Sequence, residues 1–140
     1  FFTNLLEKVK ATYPDLTRAK KAYPQNWYGF PVGRSGFSIS TSFTQEWHLR
    51  VELYIDGGYA AKNKAAFDVL IEDREEIEKK LGISLDWQRL DNKQACRICY
   101  DTKGSIDDDP VYLAELEDWA VEWVGKFHKA FKPRVQKLKL

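Results

Sequence analysis

Four polar side chains alternate along one stretch of this chain: His48, Arg50, Glu52 and Tyr54. A period of two puts them on one face of a strand, where an imidazole, a guanidinium, a carboxylate and a phenol could hold a ligand or pass a proton. The simpler reading is the wet side of a half-buried sheet. Cys96-Arg97-Ile98-Cys99 has the gap used by zinc knuckles and redox pairs. Structural zinc needs four ligands, however, and no second pair exists. A redox pair favours a helix N-terminus, whereas this one falls inside a strand pattern, with its two thiols on opposite faces. Both are read as buried structural cysteines.

Two acid-x-Lys triplets, Asp91-Asn92-Lys93 and Glu78-Lys79-Lys80, match half of a nuclease-type Mg²⁺ site. The first falls in a turn and the second on a solvated helix face, so neither is taken as a metal site. His128 lies among Lys126, Lys129 and Lys132, where a cation complements the end of a helix. Gly33-Arg34-Ser35-Gly36 could cradle a phosphate through its backbone N–H groups, with Trp27, Tyr28 and Phe30 stacking bases beside it. A turn entering a strand explains the same residues. No cofactor and no metal is expected.

The elements that would carry these groups follow from periodicity. Apolar residues at 2, 5, 6 and 9 predict an opening helix, and residues 27 to 36 read as a packed loop. Phe37, Ile39, Thr41 and Phe43, then Trp47, Leu49, Val51, Leu53 and Ile55, predict an antiparallel hairpin with one buried face. A helix is predicted up to Gly82 from Ala66, Phe67, Leu70, Ile71, Ile77 and Leu81. Ile83, Leu85 and Trp87 pair with 95 to 100 as a second hairpin. Asp109-Pro110 starts a last helix, which is predicted to run to about Phe131 and to be ended by Pro133. The fold class expected is α+β: a helix, then strand-strand-helix twice, with a four-stranded antiparallel sheet and helices packed on one face.

Composition narrows the rest. The 140 residues carry 22 Lys+Arg against 21 Asp+Glu and 14% aromatics, which describes one folded domain over 1–140. No apolar run approaches the roughly 20 residues of a membrane span, so no membrane partner is expected. The near-zero net charge hides an asymmetry: residues 1 to 64 sum to +4, 65 to 125 to −9 and 126 to 140 to +6. A basic start and a basic tail would make one positive face if they met in space. With no Met anywhere, the chain reads as a piece cut from the C-terminal end of a longer polypeptide.

Several segments taken together resemble a known family, the domain of unknown function 4268. They are Asn26-Trp27-Tyr28, Gly33-Arg34-Ser35-Gly36, Arg50-Val51-Glu52-Leu53-Tyr54-Ile55, Lys64-Ala65-Ala66-Phe67-Asp68-Val69-Leu70, Glu75-Glu76-Ile77-Glu78-Lys79-Lys80-Leu81-Gly82, Leu85-Asp86-Trp87, Cys96-Arg97-Ile98 and Phe131-Lys132-Pro133-Arg134. Domains of that family commonly close bacterial and archaeal proteins, often after a restriction-endonuclease-like domain of the PD-(D/E)xK type. The resemblance implies a cytoplasmic accessory domain whose partner is such a nuclease domain, with the chemistry done elsewhere in the polypeptide. It carries over no catalytic residue.

The function expected is therefore a non-catalytic, nucleic-acid-associated accessory domain. DNA or RNA would meet Arg34, Lys132, Arg134, Lys137 and Lys139, joined by Lys8, Lys10, Arg18, Lys20 and Lys21, with Trp27 or Tyr28 stacking. The alternative is a protein-interaction or dimerisation module, a homodimer included, docking through an aromatic patch at 27 to 32 or on the last helix. An enzyme built on His48, Arg50, Glu52 and Tyr54 ranks third.

Overall fold

The structure, a computed structural model, describes residues 1–17 and 27–139, with the backbone alone at Trp27. Nine elements follow in order: α1 (Phe2–Thr12), β1 (Trp27–Pro31), β2 (Phe37–Phe43), β3 (His48–Ile55), α2 (Ala60–Glu72), α3 (Arg74–Leu81), β4 (Asp86–Gln88), β5 (Cys96–Lys103) and α4 (Pro110–Gln136). The chain is α+β, with an antiparallel sheet in the order β1-β2-β3-β5-β4. The sheet has five strands, not the expected four. The additional strand, β1, is the segment read from sequence as a loop. Gly29 and Pro31 disguise it, but β1 is an edge strand, where a proline costs no ladder bond to a second neighbour.

The period of two in β3 sends Leu49, Val51, Leu53 and Ile55 into the core, where Phe30, Ile39 and Ile98 join them from β1, β2 and β5. That face is covered by helices. α4 lies across it with Leu116, Ala120, Val124, Phe127 and Phe131, and α1 adds Phe2, Leu5, Leu6 and Val9. α2 and α3 close the other end with Phe67, Leu70 and Ile77. Burying each such side chain contributes roughly 1.5–3 kcal/mol, which makes this shared core the main source of stability.

The single helix predicted up to Gly82 divides at Asp73, which ends α2 at φ −97° and ψ 16° and precedes α3. Gly82 stops α3 in the left-handed region at φ 75°, as its type predicts. At the start of α4, Asp109 accepts from the N–H groups of Val111 and Tyr112, each at 3.0 Å, with Pro110 in the first turn. The other end of α4 departs from expectation, because the helix passes through Pro133 to Gln136. Buried Val135 and Leu138 hold this last turn to the core, and Arg34 takes its carbonyls. That packing outweighs the one N–H a proline removes.

Two buried polar side chains of α2 fasten the loops at that end of the sheet. Lys64, only 9% exposed, donates to the carbonyls of Arg89 at 2.6 Å and of Leu90 and Ala95 at 2.8 Å. Asn63 accepts from the Gly57 N–H and donates to Asp56 and to the Gln94 carbonyl. The Glu78 carboxylate likewise braces β4, accepting from the Leu85 N–H at 2.7 Å and the Trp87 indole at 3.1 Å. No helix among the described residues is long and apolar enough to cross a membrane.

Candidate functional site

The face of the sheet turned away from the helices carries the candidate groups. Pairing sets Gly29, Ser40, Glu52, Cys99 and Asp86 in one row across the five strands. On one side of it runs the row Pro31, Ser38, Tyr54, Arg97 and Gln88, and on the other Trp27, Ser42, Arg50 and Asp101. Three of the four alternating residues of β3 therefore meet as expected. His48 stands apart at the end of the sheet, opposite Lys103.

This face is less wet than its polarity suggests. Glu52 is 6% exposed and Cys99 fully buried, although no helix among the described residues lies over them. Their cover comes from their neighbours. Arg50 Nε and Nη2 bind the two oxygens of Asp101 at 2.8 and 3.0 Å, a two-pronged pair along one side. On the other side, the Arg97 guanidinium lies 5.9 Å from the centre of the Tyr54 ring.

Beneath them the Cys99 thiol points at Glu52 Oε2, 3.6 Å away, and Arg97 Nη1 lies 3.7 Å from the same oxygen. Burial pushes the Glu52 carboxyl above its ordinary value, and the nearby Arg97 and Arg50 charges offset this only in part. Burial and the adjacent Glu52 carboxylate push the Cys99 thiol up strongly. Cys96 faces the core, its thiol also raised by burial, so the two cysteines lie on opposite faces and are both free.

On the β2 side the long side chains give way to Ser38, Ser40 and Ser42, with Gly29 beyond them. The result is a trough of about 500 Å³ lined by these serines, Glu52 and Tyr54. Sequence reasoning named Glu52 and Tyr54 but missed the serines, although they occupy the positions left between Phe37, Ile39, Thr41 and Phe43. Arg97, Cys99 and Asp101 were missed as well, because cross-strand register is not written in either strand alone.

The residues expected to meet nucleic acid are dispersed. Arg34 Nη1 donates to the carbonyls of Val135 at 3.0 Å and Leu138 at 2.5 Å, which makes it a clasp for the end of α4. Gly33 and Gly36 take φ of +81° and +87° in the turn before β2, so this is a turn and not the opening of a helix. Arg134 is bound to Asp73 at 2.8 Å and Glu76 at 3.0 Å. Tyr28 is buried against Phe30 in the core, where it cannot stack on a base. The side chain of Trp27, and Arg18, Lys20 and Lys21, lie outside the described residues.

Lys8 pairs with Glu117 and Asp118 of α4, each at 3.0 Å, and so meets acid, whereas Arg34 is the residue of the basic start that reaches the tail. Of the expected residues Lys10, Lys132, Lys137 and Lys139 are left, Lys129 lies with the last three, and none of them makes an ion pair with a described residue. Burial and Lys132 push the His128 imidazole below its ordinary value, and its contact with the Pro31 carbonyl ties α4 to β1. Among the described residues, no three His, Cys, Asp or Glu side chains are grouped to hold a metal ion. Asp91-Asn92-Lys93 is a turn, and Glu78 is the brace of β4.

A family model described as a domain of unknown function, DUF4268, matches residues 1–135, so the chain belongs to that family. No curated protein and no solved structure matches the chain.

Proposed function

We propose that this chain is a non-catalytic accessory domain that contacts nucleic acid, working beside a nuclease-like domain elsewhere in the same polypeptide. One observation carries the reading: residues 126 to 140 hold six Lys/Arg and no acid, and of these Lys129, Lys132, Lys137 and Lys139 make no ion pair with a described residue. Asp73 and Glu76, the acids beside them, are already bound to Arg134. The link to a nuclease rests on the family resemblance alone.

The contact proposed is modest and non-specific. Four phosphates would give a slope of log affinity against log salt of about −3 to −4. Anisotropy of labelled single- and double-stranded DNA and RNA tests this at two salt concentrations. Binding should weaken roughly a hundredfold between 50 and 200 mM salt and be lost when Lys129, Lys132, Lys137 and Lys139 become Ala. No binding at low salt would refute it.

A second reading, docking onto a protein, has its own support. Trp47 is 64% exposed in the β2–β3 turn at φ 64°, with Ile106 across a shallow pocket from it. Exposed tryptophans are the residues most often found at the energetic centre of interfaces. Of the aromatic patches expected at 27 to 32 and on the last helix, Tyr28, Phe30, Trp123, Phe127 and Phe131 are buried. Salt-resistant association that Trp47→Ala abolishes would favour this reading.

A further inference from the structure

The trough on the uncovered sheet face is shaped by an asymmetry in side-chain length. Towards β5 the Arg50–Asp101 pair and the Arg97–Tyr54 contact stand above the sheet, whereas Ser38, Ser40, Ser42 and Gly29 barely rise from it. The cavity of about 500 Å³ is of the size that takes a small ring compound. Its floor is a pleated strand with short side chains, which suits a flat ligand. Tyr54 and Glu52, neighbours on one face of β3, form one side of it, opposite Ser38 and Ser40.

Glu52 is short of donors. Its Oε2 has the Cys99 thiol at 3.6 Å and Arg97 Nη1 at 3.7 Å, both longer than the roughly 2.7–2.9 Å of a charge-assisted hydrogen bond. No described residue donates to its Oε1. An ionised carboxylate can accept about four hydrogen bonds, and Oε1, which meets no described donor, opens into the trough, where the N–H groups of a ligand can take the place of water. The neighbouring Arg97 Nε is also buried without a partner. The cluster is thus not closed on itself.

Charge selects what could complete it. A cationic ligand would meet Arg50 and Arg97, and a phosphate would meet Glu52 and Asp101. Arg50 is cancelled by Asp101, and Arg97 faces Glu52, so the site favours a neutral group. We propose that this trough binds a neutral planar ring presenting two adjacent N–H donors, the edge of a guanine-type base. Glu52 accepts both donors, Tyr54 lies against the ring, and the hydroxyls of Ser38, Ser40 and Ser42 meet its remaining polar atoms. The site lies across the sheet from α4 and its lysines, so it stands apart from the phosphate contacts proposed above. The same edge is offered by a free nucleoside and by an unpaired base in a strand.

Calorimetric titration of the 140-residue chain with guanosine, inosine, adenosine and cytidine tests the assignment. A parallel arm uses a thymidine hexamer with and without one central guanine. Guanosine should bind roughly tenfold or more tightly than inosine, which lacks the second donor, and more tightly still than adenosine or cytidine. Glu52→Gln, nearly isosteric, should erase that ratio with the circular dichroism spectrum unchanged. Ser42→Leu, at the rim, should block binding by filling the trough.

Preference for guanosine alone assigns a free nucleoside, and preference for the guanine-bearing hexamer assigns an unpaired base. Equal binding of guanosine and inosine, a ratio unmoved by Glu52→Gln, or no binding in either arm overturns the proposal. Salt-sensitive strand binding without guanine preference would leave the accessory role standing and remove this one. Guanosine binding without salt-sensitive strand binding would do the reverse.

Discussion

Glu52 and Cys99 face each other directly across β3 and β5, on the side of the sheet that no described helix covers, with the thiol directed at Oε2 from 3.6 Å. Neither residue is where its type would ordinarily be found. A carboxylate is normally solvated on such a face, and a thiol is normally in the core. Their burial beside Arg50, Asp101, Tyr54 and Arg97 turns an ordinary wet face into a trough with the Glu52 carboxylate opening into it opposite Ser40.

The raised Glu52 carboxyl has a consequence for stability. A carboxyl whose folded value lies above its unfolded one disfavours folding once it is ionised, and the penalty disappears as pH falls towards its ordinary value of 4.5. Glu52→Gln should therefore raise the Tm of the ligand-free domain at pH 7.5, and the gain should vanish below about pH 4. Thermal melts of both proteins across that range check it. A variant less stable at pH 7.5 would mean that Arg97 and Arg50 outweigh burial.

Lys64 is expected to be among the most sensitive positions outside the apolar core. Its three carbonyl partners lie in the β4–β5 connection, and Lys64→Met would leave the buried Ala95 carbonyl and the part-buried Arg89 and Leu90 carbonyls without their donor. A buried orphan costs about 1–3 kcal/mol and the part-buried ones less, so a loss of about 2–3 kcal/mol is expected in urea unfolding. The connection between 89 and 95 should also lose hydrogen-exchange protection first.

Gly36 is constrained twice. It sits at φ +87°, and an added Cβ would lie 2.9 Å from the Gly57 backbone. Gly36→Ala should cost about 2 kcal/mol or more, from the left-handed conformation and from parting the two loops. Gly58, also left-handed but with open space around it, should tolerate alanine better. Urea midpoints of the two variants make the comparison.

Arg34 is predicted to matter for the end of α4 and not for phosphate. Arg34→Ala removes two hydrogen bonds from a charged donor, each worth about 1.5–3 kcal/mol. Exchange protection over 134 to 138 should fall. Arg34→Lys should recover little, since an ammonium on a flexible stem does not reproduce the guanidinium fork.

Much of the fold was legible because apolar spacing is a local property. The β2–β3 hairpin, the α2–α3 region ending at Gly82 and the capped start of α4 all follow from residues within one element. What escaped depends on neighbours distant in sequence. β1 is a strand because β2 pairs with it, despite Gly29 and Pro31. α4 continues past Pro133 because Val135 is buried and Arg34, a hundred residues earlier, takes its carbonyls. Spacing placed Glu52 on the candidate face. Its burial depends on Arg97 and Asp101, which only strand register brings beside it.

The accessory nucleic-acid role is tested most directly by the salt dependence of strand binding in the wild-type chain, in the Lys129/Lys132/Lys137/Lys139→Ala variant and in Arg134→Ala. The account predicts a slope of about −3 to −4 for the wild type and near zero for the quadruple variant. For Arg134→Ala it predicts a slope unchanged or slightly weaker, because freeing Asp73 and Glu76 adds acid beside the lysines. A wild-type slope near zero, or one that survives loss of all four lysines, would contradict it.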